Sequence, residues 1–248
     1  MAEISAAARS DLAPNGKLRV GINFGNKLMT SRDPVTQAPG GVAVDVAREL
    51  AKRLGVPIEI VPYESAGALS KSATTGAWEV GFLGAEPARA KEIDFTAAYV
   101  ELEATYLVPP GSPIKAVDEV DRGGIRVAVG ADSAYDLYLT RTLKHAQLVR
   151  SKGAANAFKT FVSDKLDVLA GLRPGLVKDQ KQLPGSRILD GRFTAVQQAA
   201  GTPKGREAGA KYLREFIEDV KAAGFVARAI ESNNVHGVTV APKAASTQ

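Results

Sequence analysis

The 248-residue sequence predicts an α/β protein built as two lobes, and three observations predict it. Short apolar strand patterns alternate with amphipathic helix patterns along the chain. The alternation comes in two series of roughly 100 residues each, broken at Pro109-Pro110-Gly111-Ser112-Pro113. Both series repeat the strand–helix order that gives parallel sheets covered on both faces by helices.

In the first series, Leu18–Ile22 is a short apolar strand. Val42, Val46, Leu50 and Leu54 recur every four residues and mark a helix that Gly55 stops. Pro57–Val61 reads as the next strand, Ser65–Thr75 as a small-residue helix and Trp78–Leu83 as a buried strand, with Trp78 in the core. Thr105–Val108 is a strand before the proline break.

The second series runs strand Ile125–Val129, helix Ser133–His145, strand Gln147–Arg150, helix Ala154–Val162, strand Leu166–Gly171 and helix Pro174–Gln180. Ile188–Leu189 and Phe193–Gln197 are further strand candidates. Pro203 suits a first helical turn and is placed at the start of a long helix whose apolar face is Leu213, Phe216, Ile217 and Val220. Gly224 interrupts it before Phe225–Ile230.

Composition excludes several classes of function. Hydrophobic residues make up 45% and charged residues 24%, which is globular rather than disordered or fibrous. No apolar run approaches the ~20 residues that span a bilayer. The net charge of +5 comes from Lys and Arg scattered among acids, without a basic run or basic–aromatic motif, so no nucleic-acid partner is expected. The chain has no cysteine, which removes thiol catalysis and Cys-based metal sites. His145 and His236 lack metal-ligand spacing, and no phosphate loop, dinucleotide fingerprint or Gly-x-Ser-x-Gly elbow occurs. No metal or cofactor is expected. Met1 to Ala13 has no signal-peptide h-region. Met1 reads as an added initiator, and the segment through Leu12-Ala13-Pro14 as the start of a mature exported protein, with a cytoplasmic protein the alternative.

Four motifs share an order: Leu18-Arg19-Val20-Gly21, Gly41-Val42-Ala43-Val44-Asp45 opening a helix, Gly76-Ala77-Trp78-Glu79-Val80 leading into a strand, and Pro87-Ala88-Arg89-Ala90-Lys91-Glu92-Ile93-Asp94-Phe95-Thr96. Together, from Leu18 to Ile230, they resemble the family 3 extracellular solute-binding proteins, the polar amino-acid binders of ABC importers. The resemblance implies a type II periplasmic-binding-protein fold: two α/β lobes around a ligand cleft with two interlobe crossings, expected near Val100 and Ala195. Lobe 1 is then 1–100 plus 195–248, and lobe 2 is the inserted 101–194. It implies a periplasmic monomer that delivers a small-molecule ligand to membrane permease subunits and performs no chemistry.

The resemblance also implies site residues. Arg89 falls where the family anchors a ligand carboxylate, a role suited to a permanently charged, planar donor fork; read alone, without the family, Arg89 points first to a surface ion pair with Glu86 or Glu92. The strand-to-helix turn Gly130-Ala131-Asp132-Ser133 falls where the family donates backbone N–H groups to that carboxylate. Asp132 or Ser133 can cap the helix, and its N-terminus favours an anion. The Asp132 carboxylate opposes a bound anion or receives a ligand ammonium.

Other positions depart from the family pattern. The acid that usually holds an amino group is replaced by Leu172, with Arg173 beside it, which points away from generic α-amino acids and, if Arg173 faces the ligand, towards a dicarboxylate. The usual stacking aromatic is Asn26, with Phe24 as a substitute or a core residue. Glu86 stands where a hydroxyl residue is usual and either binds an ammonium or orients Arg89. Tyr135, in the first helical turn after the anchor, and Tyr138 cover the ligand or pack in the core.

Two other functions stay open. A cyclohexadienyl dehydratase-like enzyme on the same fold would use Arg89 to hold a carboxylate and Glu86 as general acid, but a general acid must stay protonated, which a neighbouring cation opposes. A ligand-sensing domain is the third class.

Overall fold

The computed structural model describes residues 4–245; Met1, read above as an added initiator, lies outside them. In chain order the elements are α1 (Ala6–Leu12), β1 (Leu18–Asn23), β2 (Ser31–Arg32), β3 (Pro39–Gly40), α2 (Val42–Leu54), β4 (Ile58–Tyr63), α3 (Ala66–Lys71), β5 (Val80–Gly84) and β6 (Ile93–Val108). They continue with β7 (Arg126–Gly130), α4 (Ala134–Thr142), β8 (Gln147–Ser151), α5 (Ala154–Ser163), β9 (Val168–Leu172), α6 (Arg173–Gln182), β10 (Arg187–Ile188), β11 (Thr194–Pro203), α7 (Glu207–Ala222), α8 (Phe225–Ser232) and β12 (Thr239–Val240). The chain divides into two compact units. Unit 1 holds the residues up to Glu101 and from Gln197 onward, and unit 2 holds Leu102–Val196. β6 and β11 each carry the chain from one unit into the other.

In unit 1, β1 lies between β4 and β5 and runs parallel to both, while β11 adds antiparallel to β5. α2 forms where the four-residue apolar repeat predicts it. Val42, Val46, Leu50 and Leu54 are all buried, and Gly55 ends the helix in the left-handed region at φ 65°. Trp78 is fully buried with Leu69, Ala73, Leu83 and Ile93, and its indole N–H donates to the Ser72 hydroxyl at 2.8 Å.

Beside this core lies a fully buried carboxylate, Glu79. It accepts the Arg19 backbone N–H at 3.0 Å and the Arg19 Nε at 3.2 Å, bonds to Arg19 Nη2 as well, and has Arg206 Nη1 at 3.9 Å.

In unit 2, β7 lies between β8 and β9, parallel to both. β6 adds antiparallel to β9, and β10 antiparallel to β6. Leu107, Ala128, Phe161, Leu166, Leu169 and Leu176 form its core. The Asp121 carboxylate accepts the backbone N–H groups of Lys144, His145 and Ala146, which hold its pKa down at about 2.

Asp179, on α6, is the opposite case: burial pushes its carboxyl up to about 6. A carboxyl whose folded pKa lies above its unfolded value of about 3.9 is penalised when ionised. The penalty is complete above pH 6 and vanishes below about pH 4. Asp179→Asn is therefore expected to stabilise unit 2 at pH 7.5, by on the order of 1 kcal/mol after discounting for a carboxylate still half in solvent. At pH 3.5 it should confer no advantage. Paired thermal melts of the two proteins at both pH values check this.

Two expectations need correction, and one element has no counterpart in the sequence reading. The sheets are mixed, not parallel, because β6 and β11 enter antiparallel to their neighbours. Pro203 closes β11 instead of opening a helix, and α7 begins at Glu207. The chain start is also helical in part. Ser5 caps α1 by accepting the Ala8 N–H at 3.1 Å, and Asp11 ties α1 to α7 by accepting the Gly209 N–H at 2.8 Å.

Candidate functional site

Parallel strands bring their carboxyl ends to one edge, where ligands of such sheets bind. In unit 1 the segments leaving that edge follow β1, β4 and β5; in unit 2 they follow β7, β8 and β9. Phe24 and Asn26 follow β1, and Glu86 and Arg89 follow β5. Asp132, Ser133 and Tyr135 follow β7, and Arg173 follows β9. The topology thus gathers the sequence-predicted residues of each unit at that unit's own ligand-competent edge.

At the unit 1 edge, the Phe24 N–H donates to the Tyr63 carbonyl at 2.8 Å, clamping the β1 exit to the β4 exit. Gly25 is required there, because a Cβ would lie 2.4 Å from the Glu64 carbonyl oxygen. Asn26 Oδ1 accepts the Leu28 N–H at 3.2 Å, and the Asn26 carbonyl accepts the Thr30 hydroxyl at 2.9 Å. These bonds fix the loop.

The Phe24 ring is buried, and the Arg32 guanidinium sits 4.0 Å from its centroid. Phe24 is thus a floor beneath Arg32, a residue the sequence reading did not single out. Only the pairing of Ser31 and Arg32 with Gly40 and Pro39 in the β2–β3 hairpin places Arg32 over Phe24, and no local motif signals such a contact.

Arg89 is 4% exposed. Its Nη1 donates to the carbonyl of Gly84, the last residue of β5, at 2.6 Å, and its backbone N–H donates to the Glu86 carbonyl at 2.9 Å. The guanidinium is thereby held against a strand end, and Glu86 stands half-buried three residues before it.

At the unit 2 edge, Asp132 takes the left-handed conformation at φ 57° and its backbone N–H donates to Asp136 Oδ2 at 2.8 Å. Ser133 is the N-cap of α4, its hydroxyl accepting the Asp136 N–H at 3.1 Å. The Asp136 carboxylate is itself buried and bonded by Arg150 Nε at 3.0 Å. Tyr135 is buried, with its hydroxyl close to Gly130, and burial pushes its phenol up to about 12.

Arg173 is engaged: its Nε donates to Glu103 Oε2 at 2.8 Å and its Nη2 to the Gly191 carbonyl at 2.5 Å. Arg192 reaches the same Glu103 at 3.6 Å. Tyr138 stacks on Phe193, which also meets Tyr106 at 4.5 Å between centroids.

Comparisons with known proteins bear on the family and the fold. The family model for bacterial extracellular solute-binding proteins, family 3, matches residues 18–233. The ABC transporter glutamine-binding protein GlnH of Bacillus subtilis (strain 168) is 23% identical over 220 residues, covering 85% of this chain and 78% of that protein. The solved solute receptor for L-cysteine of Neisseria gonorrhoeae superposes with a TM-score of 0.76 at 21% identity, covering 94% of this chain and 96% of that one. The ancestral amino acid-binding protein AncCDT-1, described as a precursor of cyclohexadienyl dehydratase, superposes with a TM-score of 0.74 at 23% identity, over 90% and 98% of the two chains.

Proposed function

The chain belongs to the bacterial extracellular solute-binding proteins of family 3 and has the type II periplasmic-binding-protein fold, and from that premise we propose that it captures a small carboxylate-bearing solute, an amino acid or organic acid, for an ABC importer. The importer assignment rests on family membership and on relatives such as GlnH. It acts outside the cytoplasmic membrane, and among the described residues no helix is long and apolar enough to cross one.

The observation that carries the carboxylate reading is Arg89, a buried guanidinium fixed by the Gly84 carbonyl at the carboxyl end of a parallel strand. The planar donor fork of a guanidinium matches a carboxylate. In the proposed mechanism the solute docks on unit 1 through Arg89, with Asn26 and Glu86 beside it. The Asp132–Ser133 turn and Tyr135 stand at the corresponding strand-end edge of unit 2. Arg173, held by Glu103 and Gly191, sets the charge and shape of its edge.

A thermal-shift screen against amino acids, mono- and dicarboxylates, aromatic acids and amines tests the reading. A solute at 100 times its Kd adds about 2.7 kcal/mol of stability, an easily seen shift. Hits confined to carboxylates are expected; hits confined to amines lacking a carboxylate would remove the role of Arg89.

A further inference from the structure

We propose that Arg32 is a second ligand-contacting arginine of unit 1, and that it selects solutes carrying a second anionic group, such as an acidic amino acid or a short dicarboxylate. This rests on the solute-binding reading above and narrows its ligand class. Arg32 stands on β2, where the hairpin pairing with Pro39 holds its backbone, and the Thr30 hydroxyl ties the hairpin's base to the Asn26 carbonyl. Its guanidinium lies over the buried Phe24 ring, so its position is fixed by stacking.

Stacking occupies the face of a guanidinium and leaves its in-plane N–H fork for an acceptor. Among the described residues no acceptor takes it: the Arg32 side chain contacts the Phe24 ring and enters no hydrogen bond or ion pair with them. The adjacent acid, Asp33, is turned to its own loop, where Oδ1 accepts the Val35 and Thr36 N–H groups at 3.0 and 2.7 Å. A half-buried cation placed on an aromatic floor with open donors is built to meet an anion from outside.

The second arginine is held at the end of the neighbouring strand. β1 and β5 pair in parallel with Ile22 beside Phe82. Two more residues in the same register bring Phe24 level with Gly84, on strands about 4.8 Å apart. Arg32 covers Phe24 and Arg89 holds the Gly84 carbonyl, so the two guanidinium groups belong to neighbouring strand ends. An acidic amino acid carries two carboxylates and one ammonium. The edge offers two arginines and Glu86, with matching charge. Arg173, the residue that suggested a second anion in the sequence, already has Glu103 as its partner; Arg32 has no acidic partner among the described residues.

The test is calorimetric titration of the wild-type protein, Arg32→Gln and Arg32→Lys with L-glutamate, L-aspartate, succinate, glutarate, L-glutamine and L-lysine. The wild type is expected to prefer at least one doubly anionic compound over L-glutamine. Arg32→Gln is expected to lower that affinity about 10- to 100-fold and to leave singly charged carboxylates within about twofold. Arg32→Lys should fall between, since it keeps charge but loses the stacked fork. Arg32→Gln binding the diacid as tightly as wild type overturns the inference while leaving the solute-binding reading in place, and so does a wild type that binds L-lysine or L-glutamine best. A wild type that binds no carboxylate at any concentration overturns both. Hairpin exposure keeps these variants folded, which matching thermal melts without ligand would show.

Discussion

Replacing Arg89 by alanine is expected to lower affinity for the native solute by about 2–5 kcal/mol, equivalent to roughly 30- to 5,000-fold. Most of that loss comes from a ligand carboxylate left desolvated without its charged partner. The guanidinium is 4% exposed, so little solvent screens the interaction it makes. Arg89→Lys keeps the charge but loses the bidentate fork and the rigid reach, and should lie between the two. The Gly84 carbonyl that accepts from Arg89 loses a donor in the alanine variant, which costs about 1–3 kcal/mol of fold stability. Affinity is therefore to be measured by calorimetry well below the variant's own melting temperature, with circular dichroism confirming the fold. A folded Arg89→Ala that kept full affinity would remove the anchor.

Glu79→Ala should produce the largest loss of stability. Glu79 is fully buried and is bonded by both the backbone N–H and the guanidinium of Arg19, with Arg206 at 3.9 Å. Removing the buried carboxylate leaves the Arg19 backbone N–H without its acceptor and two partly exposed guanidinium groups without their shared partner, which costs about 1–3 kcal/mol. For a chain of this size that corresponds to a fall in Tm of several degrees, read by calorimetry or near-ultraviolet circular dichroism. The remedy is informative: replacing Arg19 and Glu79 together by leucine should recover much of the loss, because a well-packed apolar pair needs no desolvated charge. If the single and double variants melt together, the pair does not hold the β1–β5 junction.

Much of this fold is legible in the sequence because its signals are local. The Val42–Leu54 repeat and the Gly55 stop are contained within four turns of helix, and the structure places α2 between those residues. The same holds for α4, whose Ser133 cap immediately precedes it. Elements defined by distant partners are less legible. β6 runs sixteen residues from Ile93 to Val108, but only its end, Thr105–Val108, reads as a strand. Its middle is organised by pairing with β12 at Val100 and Glu101, residues more than a hundred positions later in the chain. Likewise α1 looks like a polar chain start, and its helicity depends on bonds from Arg206 and Gly209 to Asp11.

The candidate site divides the same way. Arg89 and the Asp132–Ser133 turn lie in motifs whose order marks the family, so the sequence picks them out. Which groups are already committed depends on tertiary contacts: Arg173 finds Glu103 seventy residues away, and Asp136 brings Arg150 onto the α4 cap. Arg32 shows the reverse. Its stack on Phe24 spans the loop between β1 and β2, so neither residue announces the other.

The most direct test of the central claim is to load the purified protein with an equimolar mixture of carboxylates, cyclohexadienyl carboxylates included, remove free solute by size exclusion, and identify both fractions by mass spectrometry. One carboxylate retained per protein molecule and recovered chemically unchanged is the predicted result. Consumption of any compound beyond one turnover, or retention of no carboxylate at all, would contradict it.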